Sequence, residues 1–293
     1  MKLIDFDGLF DEKLTQFMEE NKDKYTEKQW EDIIPKLYKK FGDTYVSKIK
    51  CTPKEYFAKM TDGELSDCLR AHLLEDIPVP EFLCSEIENR KNIDTLLPLL
   101  FDEDLRAVSY AVNMLTDDMR AFDAYFKVLE ENLADEDIRS DITDILRLHA
   151  DELKERVLEN YQKGLAKENM LEILSRVKIR DERVFEVLLS AFRSNENIPL
   201  YAGYLASYGD ERALPYLLKR IEDKTLGFVE FQELKYAIEA LGGEYNEPRD
   251  FTGDKDYLAV EAEALSRHSQ KDGGLRSYVK PYINKKFSAY SKP

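Results

Sequence analysis

The sequence predicts an all-α protein in which helical hairpins stack as a solenoid behind a helical N-terminal cap. Two helix-length apolar patterns alternate through the middle of the chain with a combined period of about thirty residues. Within each pattern the apolar residues fall at relative positions 0, 3, 4 and 7, one face of a 3.6-residue helix. Acidic turn motifs recur at a similar interval. These features divide the chain into a cap over 1–90, about five repeats over 91–245, and a C-terminal helix with a basic tail over 246–293.

The cap is helical without keeping the apolar period. Leu3-Ile4-Asp5-Phe6-Asp7-Gly8-Leu9-Phe10-Asp11 resembles the nucleophile loop of haloacid-dehalogenase-type phosphatases, with Asp5 as nucleophile and Asp7 as acid. That chemistry needs a buried parallel strand, a magnesium ion and later acidic and lysine-bearing loops. The apolar run before Asp5 is only Leu3 and Ile4 and no strand–helix series follows, so the segment reads as a turn that caps the first helix. Thr26-Glu-Lys-Gln29, Thr52-Pro-Lys-Glu55 and Thr61-Asp-Gly-Glu64 each have the spacing of a capping box. Trp30, Ile33, Ile34, Leu37, Tyr38 and Phe41 form one apolar face, with Pro35 expected to kink or break that helix. Leu65, Cys68, Leu69 and His72 share another face, which reads as a buried thiol and a core histidine rather than two metal ligands.

The first helix of each repeat is Ile93, Leu96, Leu97, Leu100, then Phe122, Tyr125, Phe126, Leu129, then Phe185, Leu188, Leu189, Phe192, then Leu214, Leu217, Leu218, Ile221. A further copy, Lys154, Val157, Leu158, Tyr161, breaks only its opening slot. The second helices carry Val108, Ala111, Val112, Leu115; Met170, Ile173, Leu174, Val177; Tyr201, Tyr204, Leu205, Tyr208; and Leu234, Ala237, Ile238, Leu241. Ile142, Ile145 and Leu146 end instead in His149. One helix cannot cover its own stripe, so pairing buries part of it and stacking on the next pair buries the rest. Asp102-Glu-Asp-Leu-Arg106 recurs as Asp135-Glu-Asp-Ile-Arg139, and Asp181-Glu-Arg183 as Asp210-Glu-Arg212; each run supplies a helix cap and first-turn acids.

Tyr201-Ala-Gly-Tyr-Leu-Ala-Ser-Tyr-Gly-Asp210-Glu-Arg-Ala-Leu-Pro215-Tyr-Leu-Leu resembles a HEAT repeat, especially the short bacterial variety named after phycobilisome lyases, and Leu234 to Gly243 is similar to the start of another. The resemblance covers about residues 91–245 and implies a right-handed α-α superhelix with the first helices on its concave face. The matching residues are packing and turn positions, so no active-site residue is carried over.

The residue after the first slot is Asp94, Asp123, Glu155, Glu186 and finally Pro215, which places a carboxylate at an equivalent site in four consecutive repeats. On a concave face this is an acidic ladder suited to a basic protein segment. The plainer explanation is that acids suit the positive end of a helix dipole. Tyr216 flanks its core stripe and is the remaining partner-binding candidate, whereas Tyr125, Tyr161, Tyr201, Tyr204 and Tyr208 fill core slots.

Composition narrows the function classes. With 43 basic and 59 acidic residues the net charge is −16, which repels phosphate backbones and disfavours nucleic acid. From Ala264 onward, Arg267, Lys271, Arg276, Lys280, Lys285, Lys286 and Lys292 oppose only Asp272, giving a basic tail on an acidic body. No run of apolar residues is long enough for a membrane span, Asp5 interrupts any signal-peptide core, and Cys51, Cys68 and Cys84 form no disulfide framework, so the expected location is the cytoplasm. The sequence assigns no catalytic residue, metal site or cofactor. It predicts a non-catalytic scaffold that binds a protein or peptide. The alternative is an enzyme on the same scaffold, resembling HEAT-like DNA glycosylases or chromophore lyases.

Overall fold

A computed structural model describes residues 3–268 except 23 and 195, with side chains described through residue 262; most of the basic tail lies outside the described residues. The described residues are helical, apart from turns and one isolated antiparallel bridge between Val46 and Cys51. The chain divides into two compact units, Met1–Ile173 and Leu174–Pro293, which share the repeat region between them.

The first unit runs α1 (Phe6–Glu20), α2 (Glu27–Phe41), α3 (Pro53–Ala58), α4 (Asp62–Leu74), α5 (Glu81–Arg90), α6 (Ile93–Leu96), α7 (Leu105–Leu115), α8 (Phe122–Glu130), α9 (Glu136–Leu146) and α10 (Ala150–Lys163). The division falls at the end of α11 (Lys167–Leu174). All three capping boxes form: the Thr26, Thr52 and Thr61 hydroxyls accept from the amides of Gln29, Glu55 and Glu64, whose side chains accept in return. Asp5 caps α1 by accepting from the Gly8 amide at 2.7 Å.

Two proline effects differ from expectation. Helix α2 continues through Pro35, because the ring removes one internal hydrogen bond while the Thr26 box and the packing of α2 on α1 remain. The first repeat helix, expected over Ile93 to Leu100, is α-helical only to Leu96 and continues as a 3-10 segment, Leu97–Phe101, that carries Pro98 in its first turn. The tighter winding buries Leu99 together with Leu100 and leaves Leu97 half-buried.

Neighbours in this unit follow chain order. Helix α7 packs on α4, on the 97–101 segment and on α9, while α8 packs on the 97–101 segment and on α9. Tyr125, Phe126, Leu99, Leu100, Ile142 and Leu146 are fully buried there. Each buried side chain of this size is worth about 1.5–3 kcal/mol, against about 1 kcal/mol for a cap. Packing of the stripes therefore dominates the local signals.

The second unit contains α12 (Glu182–Ser194), α13 (Ile198–Tyr208), α14 (Leu214–Ile221), α15 (Phe228–Ala240) and α16 (Lys255–His268). Helix α13 packs on α12 and α15, and α14 also packs on α15. At the end of α13, Gly209 takes φ +72°, the left-handed turn that glycine adopts without a Cβ penalty. The turn-rich stretch from Asn246 is held down: Phe251 lies 5.3 Å from Phe228 and 5.2 Å from Phe231, and Arg249 donates to the carbonyls of Ile221 and Asp223.

Candidate partner-binding surface

All four ladder carboxylates are exposed, Asp94, Asp123 and Glu155 in the first unit and Glu186 in the second. The ladder is interleaved with base. Arg156, next to Glu155, donates to Asp123, lies 3.5 Å from Glu130 and stacks at 4.0 Å over the Phe126 ring. The Asp123 side chain nevertheless remains 93% exposed, so this is a surface pair worth about 0–1 kcal/mol whose carboxylate a stronger cation can claim. Tyr216 is half-buried with the Arg193 guanidinium 4.5 Å above its ring, which puts a cation beside the aromatic candidate.

A second set of residues joins neighbouring helix pairs. Arg90 donates to the carbonyls of Phe57 and Met60 and pairs with Asp62; Arg106 reaches the Leu73 carbonyl at 2.7 Å; Asn160 donates to Glu130; Arg180 reaches the Tyr208 carbonyl; Arg212 pairs with Glu182. Partners in these bonds stand 28–33 residues apart, one repeat length. The spacing already appears within the first ninety residues, where the apolar pattern does not show it. Two of these arginines, Arg106 and Arg212, are set by an Asp-x-Arg turn that also occurs at Asp118/Arg120 and Asp181/Arg183: in each the arginine's backbone amide and its guanidinium both donate to the same carboxylate.

No family model, curated protein or solved structure matches the chain.

Arginine hydrogen bonds hold the carboxyls of Asp62, Asp104, Asp118 and Asp210 below their ordinary range. A folded-state pKa below the unfolded value of about 3.9 contributes stability that is complete above that pH and is lost as pH falls through the folded value. Urea midpoints should therefore hold steady from neutrality to about pH 5 and fall below about pH 4. Midpoints that rise on acidification across this window would contradict the arginine–carboxylate bonds.

The remaining chemical candidates occupy structural positions. Asp7 accepts from the Tyr38 hydroxyl at 2.5 Å, and Tyr38 stacks on Phe82 at 4.8 Å, so Asp5 and Asp7 serve a cap and a packed tyrosine. Burial, then the bond to Asp7, raises the Tyr38 pKa. Cys68 is buried, which pushes its thiol up to about 11, and His72 is buried beside it on α4. Among the described residues no three His, Cys, Asp or Glu side chains converge to hold a metal ion, and no helix is long and apolar enough to cross a membrane. His149 is half-buried, edge-on to Phe122 at 4.9 Å with Nδ1 3.0 Å from Glu152.

Proposed function

We propose that this chain is a non-catalytic cytoplasmic interaction protein whose helix pairs continue as a right-handed HEAT-like superhelix. Asp94, Asp123, Glu155 and Glu186 line its concave face and receive a basic segment of a partner protein, with Tyr216 at the end of the row. The observation that supports this reading is the one-repeat spacing of the polar bonds, since contacts confined to neighbouring units are the mark of a stacked array. Stacked arrays present equivalent positions in a row, and all four acids are exposed.

Charge reversal tests it. Asp123→Lys, Glu155→Lys and Glu186→Lys combined should lower capture of basic proteins from the native cell by about tenfold at low ionic strength, and the difference should shrink as salt is added. Thermal stability should stay close to that of the unaltered protein, because the three positions are exposed. Equal capture by both proteins would reject the ladder.

A further inference from the structure

Helix α7 has a second face that the apolar core does not use. Arg106, Ser109, Tyr110 and Asn113 repeat the 0, 3, 4, 7 spacing on it, opposite the buried stripe of Val108, Ala111, Val112 and Leu115. The loop that follows α4 runs past this polar face, and between them lies a cleft of about 620 Å³, within the range of small-ligand sites.

Its walls differ in chemistry. Ile77, Pro78 and Val79 make one side apolar, while Ser109, Tyr110 and Asn113 line the other. His72, only 1% exposed, also lines the cleft, and its ring Nδ1 has no hydrogen-bond partner. A buried ring nitrogen left unmatched is unfavourable. Two charges line the cleft: the Arg106 guanidinium is held by Asp104, Asp76 and the Leu73 carbonyl, while the Asp76 side chain stays 93% exposed. An anion entering here would lose hydration against a guanidinium already held and beside the exposed Asp76 carboxylate.

The geometry points to a binding site for an amide-bearing ligand without negative charge that lays an aliphatic group against Ile77 and Val79 and its amide groups along Ser109, Tyr110 and Asn113. Hydroxyls and a carboxamide both donate and accept, which matches the alternating donor and acceptor of a peptide amide. The assignment is independent of the acidic ladder, so a negative charge-reversal result leaves it standing.

Amide chemical-shift titration of the full chain tests the site with three probes: N-acetyl-leucine N-methylamide, a capped Ala-Leu-Ala tripeptide, and inorganic phosphate. The expected result is saturable shifts at His72, Ile77, Ser109, Tyr110 and Asn113 with the amide probes and none with phosphate. The Ser109→Ala/Asn113→Ala variant should bind at least fivefold more weakly while its spectrum elsewhere stays unchanged. Tighter binding of the tripeptide would assign the site to an extended peptide segment, and equal binding to a small amide. Absence of saturable shifts with both amide probes, undiminished binding by the double variant, or shifts with phosphate at the same residues would each overturn the assignment.

Discussion

Phe126→Ala is expected to destabilise the first unit by about 3–5 kcal/mol, the loss typical of an aromatic removed from a closed core. Phe126 on α8 is fully buried and lies under the Arg156 guanidinium, so truncation opens a cavity and strips the cation of its ring. A single domain commonly has about 5–15 kcal/mol in total, so the effect should be large in any denaturation curve. Trp30, the only tryptophan, lies on α2 in the same unit, and its fluorescence in a urea titration reports the loss. Asp123→Ala, on the same helix but exposed, should leave the midpoint near that of the unaltered protein. A Phe126→Ala loss under about 1 kcal/mol would show that the stripe is not buried as described.

Arg90→Ala should cost about 2–3 kcal/mol through the loss of its hydrogen bonds. The side chain at the end of α5 is 22% exposed and donates to the carbonyls of Phe57, Ala58 and Met60 while pairing with Asp62 and Glu86 at 2.8 Å each. Its loss removes a donor from carbonyls at and just past the end of α3, of which Phe57 keeps the Met60 amide. These bonds share one group, so their energies do not add, and the single figure stands for the set. Arg90→Lys should fall between the two, since an ammonium keeps the charge but cannot fork across several acceptors. The same Trp30 titration measures both. An Arg90→Ala midpoint equal to that of the unaltered protein would remove the arginine from the account of how neighbouring pairs are joined.

These two residues mark what the sequence showed and what it hid. Phe126 was legible because its spacing from Phe122, Tyr125 and Leu129 defines a helix face, and Phe185, Leu188, Leu189 and Phe192 are buried by the same logic. Arg90 was not legible, because three of its acceptors are backbone carbonyls, which carry no residue identity for a pattern to repeat. The Asp-x-Arg turns at 104, 181 and 210 were visible as punctuation, but the reach of Arg106 and Arg212 to the neighbouring pair shows only in the folded chain. Pro98 shows a third limit: the apolar spacing from Ile93 to Leu100 was correct in composition, yet one ring shifted the burial to Leu99. The ladder acids were found by position alone. Their pairing was not, since Arg156 reaches Asp123 across thirty-three residues. Ser109, Tyr110 and Asn113 read as an ordinary solvent face until the loop after α4 is in place beside them.

Stacking of successive helix pairs is most directly tested by distance, with nitroxide labels placed through unnatural amino acids at Asp94, Asp123 and Glu155, which are exposed and equivalent in consecutive repeats. Helices in successive layers sit about 8–10 Å apart, so the 94–155 separation should be about twice the 94–123 separation, and 123–155 should match 94–123. A 94–155 separation equal to or shorter than 94–123 would contradict the array.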